Sequence, residues 1–230
     1  MSLFVLGATG LVGGEIVKVG EQSSVFQKII PVIRRHTNFE STKVTAIEEP
    51  DTSKWPEVIA NESKSKPIDA YISALGTTRA KAGSAENFKK IDYGINYENA
   101  KAAKENGVKV AVLVSSIGAN AKSWFLYPKT KGELEDDVIA LGFEHTVILR
   151  PGALLGERTE AHGWANGIIM GFGRATKGTF LAPILHPVEA TDVAKVAVHF
   201  AEEGVNGKLT GKATIVGAGE IVKIANVLNS

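Results

Sequence analysis

The chain of 230 residues contains no cysteine, which removes disulfides, thiolate nucleophiles and cysteine-ligated metals together. Histidine is sparse: His36, His145, His162, His186 and His199 are scattered, no two stand at the spacing that places two ligands on one helix face, and no metal site is expected. Charge of neither sign is in excess. A formal net charge of +1 gives no long-range attraction for a polyanion, and no run of like charges marks a basic arm, so nucleic acid is not an expected partner. No stretch approaches about 18 uncharged apolar residues, so no helix is expected to span a bilayer. The front of the chain has neither the blocks of a secretory signal nor an arginine-rich transit pattern, and if its first apolar run is a core strand, no removable leader is expected there. The serine elbow G-x-S-x-G and the phosphate loop G-x-x-x-x-G-K-[ST] are also missing, which turns the reading away from hydrolases and P-loop enzymes.

What remains is a globular composition, 44% hydrophobic and 22% charged, in a length that suits one domain. Short apolar runs alternate with helical patterns. LFVLG (3–7) leads into a glycine turn and a helix carrying Leu11, Val12, Ile16 and Val19 at helical spacing. IIPVIR (29–34), KVTAI (43–47), DAYISALG (69–76), VKVAVLVSS (108–116) and HTVILRPG (145–152) read as further strands. Helices are expected at WPEVIANES, from about Glu86 to Glu105, from Pro128 to about Leu141, and over 188–203, with NESKSKP (61–67) as a solvated loop. ATIVG and EIVKIANVL offer a last strand and helix. The strands are nearly continuous in apolar character, as strands buried on both faces should be, so the fold class is α/β: a Rossmann-type doubly wound parallel sheet with helices on both faces. One domain is expected over 1–230, with a cofactor-binding core at 1–152 and a substrate-covering segment with closing elements at 153–230.

GATGLVGG places Gly7, Gly10 and Gly13 directly after the first strand and at the opening of a helix. Such a turn lets a pyrophosphate approach the backbone closely and aims the positive helix end at it, making Gly7, Thr9, Gly10, Leu11 and Val12 candidate cofactor contacts. At the end of the second strand an NAD-binding protein usually offers an acidic residue to the ribose hydroxyls. Here the chain has Arg34 and Arg35, whose guanidinium groups suit a 2'-phosphate, and NADP(H) is the expected cofactor.

YPKTK (127–131) sets Tyr127 four positions ahead of Lys131, on one helix face. Hydride delivery to a carbonyl carbon needs a proton at the oxygen, and a tyrosine supplies it near neutrality only if its acidity is raised, as a nearby ammonium and a cationic cofactor ring can do. Pro128, favoured at the first helical position, would open the helix and leave Tyr127 at its mouth. A third group, a hydroxyl that orients the substrate oxygen, is offered by Ser115 or Ser116 at the ligand end of the fifth strand, with Ser116 preferred.

GATGLVG, the SS pair ending a later strand, YPKTK and RPG together resemble the short-chain dehydrogenase/reductase superfamily, atypical branch. LGTTRAKAG (75–83), VSSIGAN and LRPGALLGERTE (149–160) more narrowly resemble the animal Tat-interacting oxidoreductase and its fungal mitochondrial outer-membrane relatives, over most of residues 1–160. The resemblance implies that Leu75, Gly76 and Thr77 pass under the cofactor riboses, that Lys131 also holds the nicotinamide ribose hydroxyls, and that Pro151, Gly152 and Leu154 lie beside the nicotinamide amide. One position departs from the pattern. Asp92, in IDYGINYENA, stands where many extended relatives have asparagine, so an asparagine-based water relay is not implied.

The expected function is NADPH-dependent reduction of an aldehyde or ketone, with Tyr127 as acid, Lys131 as its electrostatic partner and Ser116 as orienting donor. The alternative is an NADPH-binding regulator that contacts partner proteins with little turnover. GWANGIIMGFG (163–173) brings Trp164, Ile168, Ile169, Met170 and Phe172 with few charges, which suits a lid over an apolar carbonyl substrate or a peripheral membrane contact. By resemblance the expected location is the cytoplasmic side of the mitochondrial outer membrane, and the expected state is a monomer or homodimer.

Overall fold

A computed structural model describes residues 1–155 and 187–229. Seven apolar segments form one parallel sheet: β1 (Ser2–Leu6), β2 (Lys28–Ile33), β3 (Ile47–Glu48), β4 (Ala70–Ser73), β5 (Val110–Val114), β6 (His145–Arg150) and β9 (Ala213–Gly217), in the order β3-β2-β1-β4-β5-β6-β9. Every neighbouring pair runs parallel, with Leu3 opposite Ile29 on one side and Ala70 on the other. Two short strands, β7 (Leu154–Leu155) and β8 (Val188–Glu189), pair with each other apart from this sheet. The helices are α1 (Leu11–Gln22), α2 (Trp55–Ser65), α3 (Arg79–Ala82), α4 (Ala85–Lys89), α5 (Asn96–Glu105), α6 (Leu126–Ala140), α7 (Ala190–Val205) and α8 (Ala218–Leu228).

Alternation along the strands builds two cores. Leu3 and Val5 point to the side covered by α1, α7 and α8, joining Val12, Ile16, Val193, Ala197 and Ile221. Phe4 and Leu6 point to the other side, with Trp55 and Ile59 of α2, Ala103 of α5, and Leu134 and Val138 of α6. Each such aliphatic side chain, fully withdrawn from water, contributes about 1.5–3 kcal/mol, and this two-sided burial is why the strands show no polar face. The order of strands reverses at β1: β2 and β3 lie to one side, β4 onward to the other. A parallel sheet of this kind opens a crevice beyond the carboxyl ends of its strands at the reversal, here between β1 and β4.

Several elements differ from the sequence expectation. Most of the 61–67 stretch is helical, because α2 continues to Ser65 on the strength of its buried pair Trp55 and Ile59, and stops only where Lys66 precedes Pro67. The third strand is shorter and later than KVTAI: the chain touches β2 through Val44, then pairs properly only at Ile47–Glu48. The helix expected over 86–105 is one rod with a π-helical middle, Lys90–Ile95, between α4 and α5. Helix α6 begins at Leu126, so Pro128 is the third helical residue and Tyr127 the second. Proline is tolerated there because the first-turn amides have no intrahelical acceptor to lose. The 164–173 stretch lies outside the described residues.

Candidate functional site

In a fully parallel sheet all carboxyl ends share one edge, and the candidate residues follow those ends: Gly7–Leu11 after β1, Arg34 and Arg35 after β2, Leu75–Thr77 after β4, Ser115 and Ser116 after β5, and Pro151–Leu154 after β6. Helix α6, which carries Tyr127 and Lys131, starts from the loop after β5.

The glycine turn is shaped by close contacts. Gly7 has φ +83°, and a methyl group added to it would lie 2.6 Å from Leu75 N, so the turns after β1 and β4 press directly on one another. A methyl on Gly13 would lie 2.0 Å from Gly7 O, so the first turn of α1 packs on the loop that precedes it. Gly10 caps α1 with extended backbone and no side chain to occupy the helix end, its carbonyl accepting the first helical bond from Gly14 N at 2.9 Å. Thr9 and Gly10 are exposed and Leu11 is half-buried, whereas the Val12 side chain is in the core and offers a ligand only its amide. An uncapped helix start behind exposed small residues fits a pyrophosphate. Arg34 and Arg35 are exposed just past β2 and make no ion pair among the described residues, which leaves both free to meet a phosphate.

The two serines are separated by their partners. Ser115 is buried and donates its hydroxyl hydrogen to Glu135 Oε1, and Glu135 in turn receives the Arg150 guanidinium through Nε at 3.0 Å and Nη2 at 2.5 Å. Those hydrogen bonds hold the Arg150 proton more tightly than usual. Ser115 therefore belongs to a strut joining β5, α6 and β6. Ser116 is half-buried, and among the described residues its hydroxyl reaches only Ile117 O, at 3.2 Å. Pro151 O accepts from Ile117 N at 2.8 Å, so the loops after β5 and β6 are tied together at the same edge, with Gly152 and Leu154 half-buried beside them.

Tyr127 is 42% exposed, and its ring leans on Phe88 of α4 at 5.7 Å between centroids. Lys131, one turn further along α6, is not a free ammonium. Its Nζ lies 2.7 Å from Asp92 Oδ1, with the two side chains 5% and 0% exposed. The other Asp92 oxygen accepts Thr77 N at 2.7 Å. A methyl group on Gly76 would come within 3.3 Å of Asp92 Oδ1 and 3.4 Å of Lys131 Nζ, so glycine there lets the backbone lie against the pair.

Asp92 belongs to the π-helical segment, whose wider turn is stitched by Asn96: its amide nitrogen donates to Asp92 O at 3.0 Å and Leu75 O at 3.2 Å, and its Oδ1 accepts Ser73 Oγ at 2.5 Å. Turns of this kind occur often at functional sites. Asp92, Asn96 and Asn99, at positions i, i+4 and i+7, are all buried. This polar stripe on the face that should be apolar is the signal that sequence reading passed over, apart from the remark on Asp92. Glu135 and Arg150 gave no such signal, because their pairing exists only once β6 lies beside β5. Among the described residues no group of His, Asp and Glu is arranged to hold a metal ion, and no helix is long and apolar enough to cross a membrane.

Comparison with known proteins places this geometry. The HIM1 family description matches residues 19–170. Protein FMP52, mitochondrial, of Candida albicans is 62% identical over 231 residues, covering 100% of both chains. Among solved structures, MoeE5 in complex with UDP-glucose and NAD superposes with a TM-score of 0.68 at 17% identity, covering 99% of this chain and 82% of the other. The UDP-glucose 4-epimerase of Thermus thermophilus in complex with NAD gives 0.66 at 14%, covering 99% and 83%. At such identities the likeness is one of fold, and the fold is the Rossmann-like parallel sheet expected from the sequence.

Proposed function

The chain belongs to the HIM1 family, together with the fungal proteins named FMP52, mitochondrial, and given that membership we propose that it is an NADPH-dependent reductase of aldehydes or ketones. The observation that carries the reading is the convergence, at one sheet edge, of an uncapped helix start, two arginines without an ion pair among the described residues, and the Ser116, Tyr127 and Lys131 side chains. The amides after Gly10 hold the pyrophosphate, and Arg34 and Arg35 take the 2'-phosphate. Leu75, Gly76 and Thr77 would line the place of the riboses, Lys131 would donate to the nicotinamide ribose hydroxyls, and Pro151, Gly152 and Leu154 would hold the nicotinamide amide. The reduced nicotinamide, when bound, supplies the hydride. Tyr127 gives its phenolic proton to the carbonyl oxygen, and Ser116 donates a hydrogen bond that orients that oxygen. Binding of a nicotinamide dinucleotide by solved neighbours such as MoeE5 supports the cofactor class. The choice of NADPH over NADH rests on the two arginines.

Kinship with the Tat-interacting oxidoreductase, attachment at the cytoplasmic side of the mitochondrial outer membrane, and an apolar substrate taken up by a monomer or homodimer belong to the same reading. In that reading the attachment is peripheral.

Calorimetric titration with NADPH and NADH, followed by a panel of apolar aldehydes and ketones, tests the proposal. Arg34→Ala/Arg35→Ala should weaken NADPH by about 10- to 100-fold, the worth of one or two charge-assisted hydrogen bonds, and leave NADH unchanged. Tyr127→Phe should keep NADPH affinity and lose turnover by about 100-fold or more. NADH bound as tightly as NADPH by the parent would remove the cofactor assignment, and full turnover by Tyr127→Phe would remove the mechanism.

A further inference from the structure

We infer that Asp92 is the residue that positions Lys131: its carboxylate lies against the ammonium and fixes it at the ligand edge, in a place almost closed to water. The inference rests on the reading of Lys131 as a cofactor-binding and electrostatic residue, and it adds a carboxylate to that machinery. A lysine side chain that is 5% exposed must be neutral or matched by an opposite charge, because burial disfavours the ammonium. Asp92 is that match at 2.7 Å.

The carboxylate is itself fixed, since Thr77 N donates to its second oxygen at 2.7 Å and Asn96 clamps the π-helical turn that carries it. An ammonium has three N–H donors. The 2.7 Å approach to Asp92 is an ion pair, and the ammonium keeps N–H donors for the vicinal diol of a ribose. Stability alone is a poor reason for such a pair, because a buried ion pair is often no better than an apolar replacement. Its place, beneath Gly76 and Thr77 and one helical turn from Tyr127, is instead the reason to assign it a role at the site.

The other charged groups on elements packed around Lys131 do not compete for it. Glu135 holds Arg150 and Ser115, Asp137 accepts the Tyr93 hydroxyl, and Lys104 reaches Gly142 O. Lys129 is exposed and lies 3.8 Å from Glu133, while Lys90, Glu98 and Glu105 are exposed.

The test reads Lys131 itself, without substrate or cofactor. In protein labelled with [15N]lysine, a buried and paired ammonium should give a slowly exchanging cross-peak near neutral pH that vanishes in Lys131→Arg. In Asp92→Asn this peak should be lost, because the ammonium no longer has the carboxylate that fixes it. Folded Asp92→Asn should also lose about 100-fold in kcat, through misplacement of the ammonium.

Absence of the cross-peak in the parent overturns the inference, and does so even if Asp92→Asn does not fold. A peak unchanged in folded Asp92→Asn overturns it as well. If the parent binds no nicotinamide nucleotide, the proposed function falls, and the ammonium signal still decides whether Asp92 holds Lys131.

Discussion

Replacing Lys131 with methionine keeps the length and apolar stem of the side chain and removes only its charge. The partner left behind is Asp92, fully buried, with one remaining donor, the Thr77 amide. At 2.7 Å and an effective dielectric of about 20, the attraction removed is about 6 kcal/mol, and part of that is offset by the desolvation that the ammonium no longer has to bear. Breaking a buried pair from one side costs about 3–5 kcal/mol in general, and that is the loss expected here. For a chain of this size it lowers the melting temperature by roughly 6–20 °C. Urea denaturation of the parent, Lys131→Met, Asp92→Asn and the double variant gives the cycle. The double variant should recover most of the loss, because asparagine can still accept the Thr77 amide and leaves no charge unmatched. If Lys131→Met is within about 0.5 kcal/mol of the parent, or the double variant is as weak as the single, the pair does not carry the energy assigned to it.

Two further outcomes can be checked on the same footing. Gly132 of α6 lies so close to the loop after β5 that a methyl group on it would sit 2.1 Å from Ala121 N; Gly132→Ala should cost about 1–3 kcal/mol and speed hydrogen exchange at Asn120, whose amide bonds Pro128 O at 2.8 Å, and unchanged exchange would show that the loop is not held by this contact. Tyr93 donates to Asp137 Oδ2 at 2.6 Å, and that hydrogen bond first, then burial, pushes its phenol from 10.0 up to about 12. Its stabilisation is therefore complete below about pH 10 and lost as pH rises through about 12, so Tyr93→Phe should cost about 1 kcal/mol, equally at pH 6 and pH 9. A deficit that already fades by pH 9 would contradict the bond.

The sheet was legible in the sequence because burial on both faces leaves strands as plain apolar runs, bounded by the turns that glycine and proline mark. The glycine turn could be placed for a similar local reason: three glycines following a strand and opening a helix have little other use. Legibility failed where partners are distant in sequence. Nothing near Glu135 announces that it will meet Ser115 and Arg150, 20 and 15 residues away. The counter-charge of Lys131 is not legible because it lies on another helical segment, 39 positions earlier in the numbering. The helical extension to Ser65 is not legible because asparagine and serine have weak helix preferences, which the buried Trp55 and Ile59 of the same helix override. Equally invisible in the sequence is that Glu135 engages the Ser115 hydroxyl while that of Ser116 meets the Ile117 carbonyl.

Two tryptophans of the described chain occupy opposite optical environments. Trp55 is enclosed in the core, its indole nitrogen donating to Glu49 O, while Trp124 is completely exposed in the loop that leads to Tyr127, next to a Phe125 that is 77% exposed. Emission from the first is set by a dry, fixed surrounding and should report unfolding; emission from the second is set by water and should turn blue and brighten when any molecule settles over that loop. The chain thus carries an intrinsic two-colour gauge, one end reading the integrity of the scaffold and the other the arrival of visitors at its rim.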